Sequence, residues 1–126
     1  MADISQVDQS FMVLCTILVM LMVPGLALFY GGLVRERSTV GMMIQNFVSL
    51  GITTVVWYVF LFSMAFGPGD IIGHPYTHMM YKGLTVNSTW QTSTISGPLF
   101  ATYQMMFAIL TPILMTGAFA DRMRFG

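Results

Sequence analysis

Few side chains in this 126-residue chain can do chemistry. His74 and His78 stand four positions apart, the spacing at which two imidazoles on one helical turn hold a metal. Pro75 lies between them, the surrounding stretch is rich in Gly, Thr and Ser, and no third ligand is near. A loop without metal is the expectation, and no cofactor is expected. The single cysteine, Cys15, lies in an apolar run with no Cys-x-x-Cys partner, so it reads as a small buried hydrophobe. Asn87-Ser88-Thr89 is an acceptor sequon, which makes Asn87 a candidate for N-glycosylation in a eukaryotic host. Tyr103 and Phe107 are four apart and share a helical face; on spacing alone they are aromatics packed in a bundle. Gln104 and Thr111, nearby, are expected to hydrogen-bond between helices.

The elements that must position these residues are membrane helices. The chain is 56% hydrophobic and only 8% charged, with zero net charge and a mean hydropathy of +0.75. A soluble domain carries roughly 25% charged residues, so a soluble globular fold is not expected. No basic tail or stripe is present to contact phosphates, so no nucleic-acid partner is expected. About 20 apolar residues cross the hydrocarbon core. Three stretches are long enough, at about 9–34, 39–66 and 98–120, with a polar loop at about 67–97. The second helix is expected to begin near Ser38 or Thr39 and to end by Gly67-Pro68-Gly69. Pro98 suits a first helical turn, whereas Pro112 falls mid-span and is expected to kink the helix.

The first span is read as a retained helix and not a cleaved signal, because the tail before it carries Asp3 and Asp8 and no basic residue. Within it, Pro24-Gly25-Leu26-Ala27-Leu28-Phe29-Tyr30-Gly31-Gly32 combines a proline with three glycines. Such residues are tolerated where neighbouring helices pack closely and repair the backbone. Ala27 and Gly31 mark a close-contact face, within the chain or between subunits, and Tyr30 reads as an interfacial belt residue. Arg35 and Arg37 follow the first span, and Arg122 and Arg124 follow the third. The positive-inside rule therefore puts both sites in the cytoplasm, with the N-terminus and the 67–97 loop outside.

In order along the chain, these phrases resemble the ammonium transporter family (Amt/Mep/Rh), specifically its Amt/Mep branch. Asp8-Gln9-Ser10-Phe11 and the run from Leu21 to Arg35 are similar to that family's lead-in and first helix. Met42-Met43-Ile44-Gln45-Asn46-Phe47, Trp57 and Ser63-Met64-Ala65-Phe66-Gly67 resemble its second. Gln104-Met105-Met106-Phe107 through Pro112, and Gly117-Ala118-Phe119-Ala120-Asp121-Arg122, resemble its third. Leu61-Phe62 departs from the pattern, because the family usually has Gly-Tyr there, and it puts the local packing in question.

The resemblance implies an all-α integral membrane fold, here the N-terminal three helices of a bundle of about eleven. It also implies ammonium or ammonia transport, with methylammonium as an analogue, in a plasma-membrane homotrimer. The paired pore histidines, and the tryptophan and serine of the external recruitment site, belong to later helices. The 1–126 chain therefore resembles a fragment. Phe107 matches a gate phenylalanine beneath that site. Tyr103, usually phenylalanine in the family, stands beside it and brings a hydroxyl. The alternative is a non-transporting sensor or oligomerisation module derived from the same family. An enzyme is not expected, because no Asp, Glu, Lys or Arg interrupts a span.

Overall fold

The computed structural model describes residues 4–91 and 93–119. Helix α1 (Gln6–Leu33) opens at Ser5, whose hydroxyl oxygen accepts the Asp8 backbone N–H at 3.4 Å. Asp8 places its charge in the first turn, where the helix dipole favours an anion. The helix then runs through Pro24 to Leu33. Helix α2 (Glu36–Val56) begins earlier than the Ser38–Thr39 signal suggests. Arg35, in extended conformation, takes the capping position, and Glu36 supplies the acidic first-turn residue.

Val56 continues without a break into a π-helical turn, Trp57–Leu61, and then α3 (Phe62–Phe66). Together Glu36–Phe66 forms a single span of 31 residues. Helix α4 (Gly97–Phe119) carries Pro98 in its first turn and remains helical through Pro112. All three spans are long and apolar enough to cross a membrane. Among the described residues the sole extended pairing is an isolated antiparallel bridge between Thr89 and Ser96. The fold is all-α, with the three spans in mutual contact.

The spans meet on small and branched side chains. Val23 of α1 packs with Met106, Ile109, Leu110 and Ile113 of α4. Ala27 and Gly31 are buried inside the chain. A Cβ on Gly31 would stand 3.3 Å from the Thr39 methyl and 3.4 Å from Met43. The close-contact face of α1 therefore serves α2, which decides between the two placements left open above. The Thr39 hydroxyl also shares its one hydrogen between the carbonyls of Gly31 (3.1 Å) and Arg35 (3.3 Å), stapling the tight turn between the spans. Tyr30 is half-buried, and its hydroxyl donates to Leu114 O on α4 at 3.2 Å. Tyr30 thus takes part in packing α1 against α4.

Candidate functional site

Helix α4 has two faces. Met106, Ile109, Leu110 and Ile113 are buried against the other spans. Phe107, Thr111 and Leu114 are exposed, and half-buried Tyr103 lies one turn before Phe107 on the same side. The Tyr103 and Phe107 rings meet edge to face, with centroids 5.2 Å apart and planes at 82°. Phe107 keeps 44% of its surface exposed, so it takes no part in the core that closes the three helices. Thr111 donates to Phe107 O at 2.9 Å, within its own helix and not across helices as its polarity suggested. A threonine bonds its own backbone in this way when no partner faces it.

The N-terminal end of α4 is held from three directions. From α1, the Asp8 carboxylate accepts the Thr94 hydroxyl. Gln9 Oε1 accepts the Ser96 hydroxyl at 3.4 Å, and Ser5 N–H donates to Thr94 O at 3.0 Å. From the π-helical turn, Trp57 Nε1–H donates to Ala101 O at 3.2 Å. From the loop, Trp90 stacks on Phe100 at 5.4 Å with planes only 9° apart.

The loop itself is organised by aromatic packing. Phe62, fully buried, touches the rings of Trp57, Phe66, His78, Tyr81 and Trp90. Leu61 is half-buried against the same cluster, so the unusual Leu61-Phe62 pair is accommodated there. Buried Ser63 ties the chain back onto the helix end. Its hydroxyl donates to His74 O at 2.5 Å and accepts the His78 N–H at 3.0 Å. Burial pushes the Tyr81 phenol above its usual pKa of 10.0, while contact with the Trp57 side chain pulls it down and Tyr58 adds a smaller upward push.

The sequence-derived candidates fall at separate places. Tyr103 and Phe107 come together as spacing suggests. Exposed His74 and half-buried His78 lie in irregular chain, where the spacing of four does not put both imidazoles on one helical turn. Asn87 is exposed beside the Thr85–Ser88 turn. Sequence reasoning missed Asp8 and Trp57 as organisers of the α4 terminus, and Ser63 as the anchor of the loop on the end of α3. The family-like phrases contain all three, yet nothing in spacing pairs Asp8, Ser63 and Trp57 with residues 86, 11 and 44 positions away.

Three apolar spans, with an aromatic pair left open on the third, define a multi-pass α-helical membrane protein. The profile of the Ammonium Transporter Family matches residues 10–126, and the chain belongs to that family. It is similar to the ammonium transporter of Bacillus subtilis (strain 168), 42% identical over 119 residues that cover 94% of this chain and 30% of that protein. The ammonium transporter of Mycobacterium tuberculosis (strain ATCC 25618 / H37Rv) is 38% identical over 135 residues, 94% of this chain and 28% of that one. Ammonium transporter Amt1 of Archaeoglobus fulgidus is 41% identical over 109 residues, 85% of this chain and 25% of that one. The chain thus spans less than a third of the length of these relatives.

Proposed function

We propose that this chain contributes the first three helices of a transporter, not an enzyme, that moves ammonium or ammonia across the plasma membrane. The observation that carries the reading is the match of residues 10–126 to the family profile. Its subunits assemble as a homotrimer once the remaining helices are present. Arg35 and Arg37, exposed at the α1–α2 turn, lie in the cytoplasm, and the loop between α3 and α4 lies outside. Arg122 and Arg124, expected on the same side, fall outside the described residues.

Tyr103 and Phe107 line the external mouth and gate. Ammonium must shed water to enter a low-dielectric path, and a bare ion there costs tens of kcal/mol by Born arguments. Cation–π contacts, about 0.5 to 2 kcal/mol each, offset a part of that at the mouth. Moving neutral ammonia with its proton handled separately removes most of the remainder. The Tyr103 hydroxyl adds a hydrogen-bond acceptor beside the ring faces.

Uptake of methylammonium by vesicles carrying the complete transporter tests the gate. Phe107→Ala is expected to alter flux or apparent affinity, and unchanged values of both would remove the assignment. Expression in a eukaryotic membrane tests the orientation. Asn87 is expected to gain a glycan that Asn87→Gln lacks, and an unmodified Asn87 in inserted protein would overturn the outward placement of the loop.

A further inference from the structure

In a regular α-helix, residues five apart point about 140° away from each other. Trp57 and Phe62 do not. The Phe62 N–H reaches back to Trp57 O, the five-residue closure of a π turn, and both side chains enter the same buried cluster with ring centroids 6.0 Å apart. Single π turns of this kind are uncommon and frequent at functional sites, because they re-aim side chains that an α-helix would point elsewhere. Phe62, fully buried, keys into Tyr81 and Trp90 of the loop. Trp57 is thereby turned onto α4, where its indole N–H donates to Ala101 O at 3.2 Å.

That bond is shielded from solvent on both sides, since Trp57 is 7% and Ala101 0% exposed. Ala101 lies two residues before Tyr103 and six before Phe107 on the same continuous helix. A carbonyl fixed at this point sets both the height and the rotation of the segment that bears the two rings. An indole is well suited to the task, because it combines a large rigid apolar body with one donor.

We propose that Trp57, aimed by the π turn at 57–61, is a positioning residue for the Tyr103–Phe107 pair and acts through Ala101 O. Trp57 touches no substrate in this scheme. The proposal rests on the reading of that pair as the cation-facing mouth, and its test separates the two. The complete transporter in vesicles is compared as wild type, Trp57→Phe, Phe107→Ala and the double variant, with methylammonium as substrate. A fifth form carries benzothienylalanine at position 57, which keeps the indole shape and lacks the N–H.

Loss of the donor is expected to raise the apparent KM about fivefold, the usual worth of one hydrogen bond, with the maximal rate held within about twofold. In the Phe107→Ala background the same change at position 57 is expected to add clearly less than it does in the wild type, because only Tyr103 of the pair remains to be positioned. Unchanged KM in both Trp57 forms, a loss of rate alone, or effects that add in the double variant would each overturn the proposal. If Phe107→Ala itself leaves KM and rate unchanged, the reading of the mouth fails, whatever position 57 does.

Discussion

The Thr94 hydroxyl donates to a carboxylate oxygen of Asp8, joining the first turn of α1 to the chain that leads into α4. The bond spans 86 positions, and the Ser96–Gln9 and Ser5–Thr94 bonds lie beside it. Asp8→Ala and Thr94→Val should each destabilise the protein by about 0.5 to 1.5 kcal/mol, the net worth of one exposed hydrogen bond. The double variant should lose little more than either single one. Thermal midpoints of the complete transporter in detergent measure this, and fully additive losses would show that the two residues do not act together.

Asn46 and Thr116 meet between α2 and α4, both buried. The Thr116 hydroxyl has one hydrogen, with Ile113 O at 2.5 Å and Asn46 Oδ1 at 3.4 Å. The nearer carbonyl takes it. The Asn46 amide nitrogen has no partner among the described residues, and rotating the amide brings that donor to Thr116 Oγ1, completing a chain of bonds. Thr116→Val should therefore cost about 1 to 3 kcal/mol by stranding a buried amide. Adding Asn46→Leu should recover most of the loss, since replacing both partners by apolar groups is nearly neutral. A double variant less stable than Thr116→Val would contradict this pairing.

Two glycines make close approaches of different kinds. A Cβ on Gly31 would press on the Thr39 methyl and the Met43 side chain at 3.3 and 3.4 Å, and both can yield. A Cβ on Gly73 would fall 2.5 Å from Ser63 O and 2.8 Å from Gly67 O, which are backbone atoms at the helix end. Gly73→Ala should therefore destabilise more than Gly31→Ala, by about 1 to 3 kcal/mol as for other overpacked sites. Equal thermal midpoints for the two variants would refute the difference.

Tyr81 supplies a pH dependence. Its folded-state pKa stands above the ordinary 10.0 because burial disfavours the phenolate. The folded state then holds the proton more tightly than the unfolded state, so its contribution to stability is complete below pH 10 and is lost as pH rises through the folded value. Stability should fall above about pH 10 in the wild type, and less steeply in Tyr81→Phe. Parallel alkaline profiles for the two would eliminate Tyr81 as the cause.

The spans were legible because about 20 consecutive apolar residues admit few other folds, and the phrases from Leu21 to Arg35 and from Gln104 to Pro112 carried the family. The π turn was not legible. Val55 to Phe62 is apolar throughout, so no polar residue marks a helical period or its slip. The role of Tyr30 was hidden for another reason. Its partner, Leu114 O, is a backbone atom 84 positions away, and no side-chain pattern signals a carbonyl. The start of α2 is masked in the sequence because Ser38 and Thr39 look like capping residues, whereas Thr39 spends its hydroxyl on closing the turn.

The Thr39 staple bears on the independence of the first corner. A sharp reversal between two helices ordinarily leaves several carbonyls without a partner in the chain at the end of the first. Here the Thr39 hydroxyl shares its hydrogen between Gly31 O, the nearer, and Arg35 O, which also accepts the Ser38 N–H at 2.8 Å. The groups that close this corner lie between residues 31 and 43, a separation so short that the entropy of joining them is small. The bonds that close the corner between the first two spans thus draw on nothing from the third.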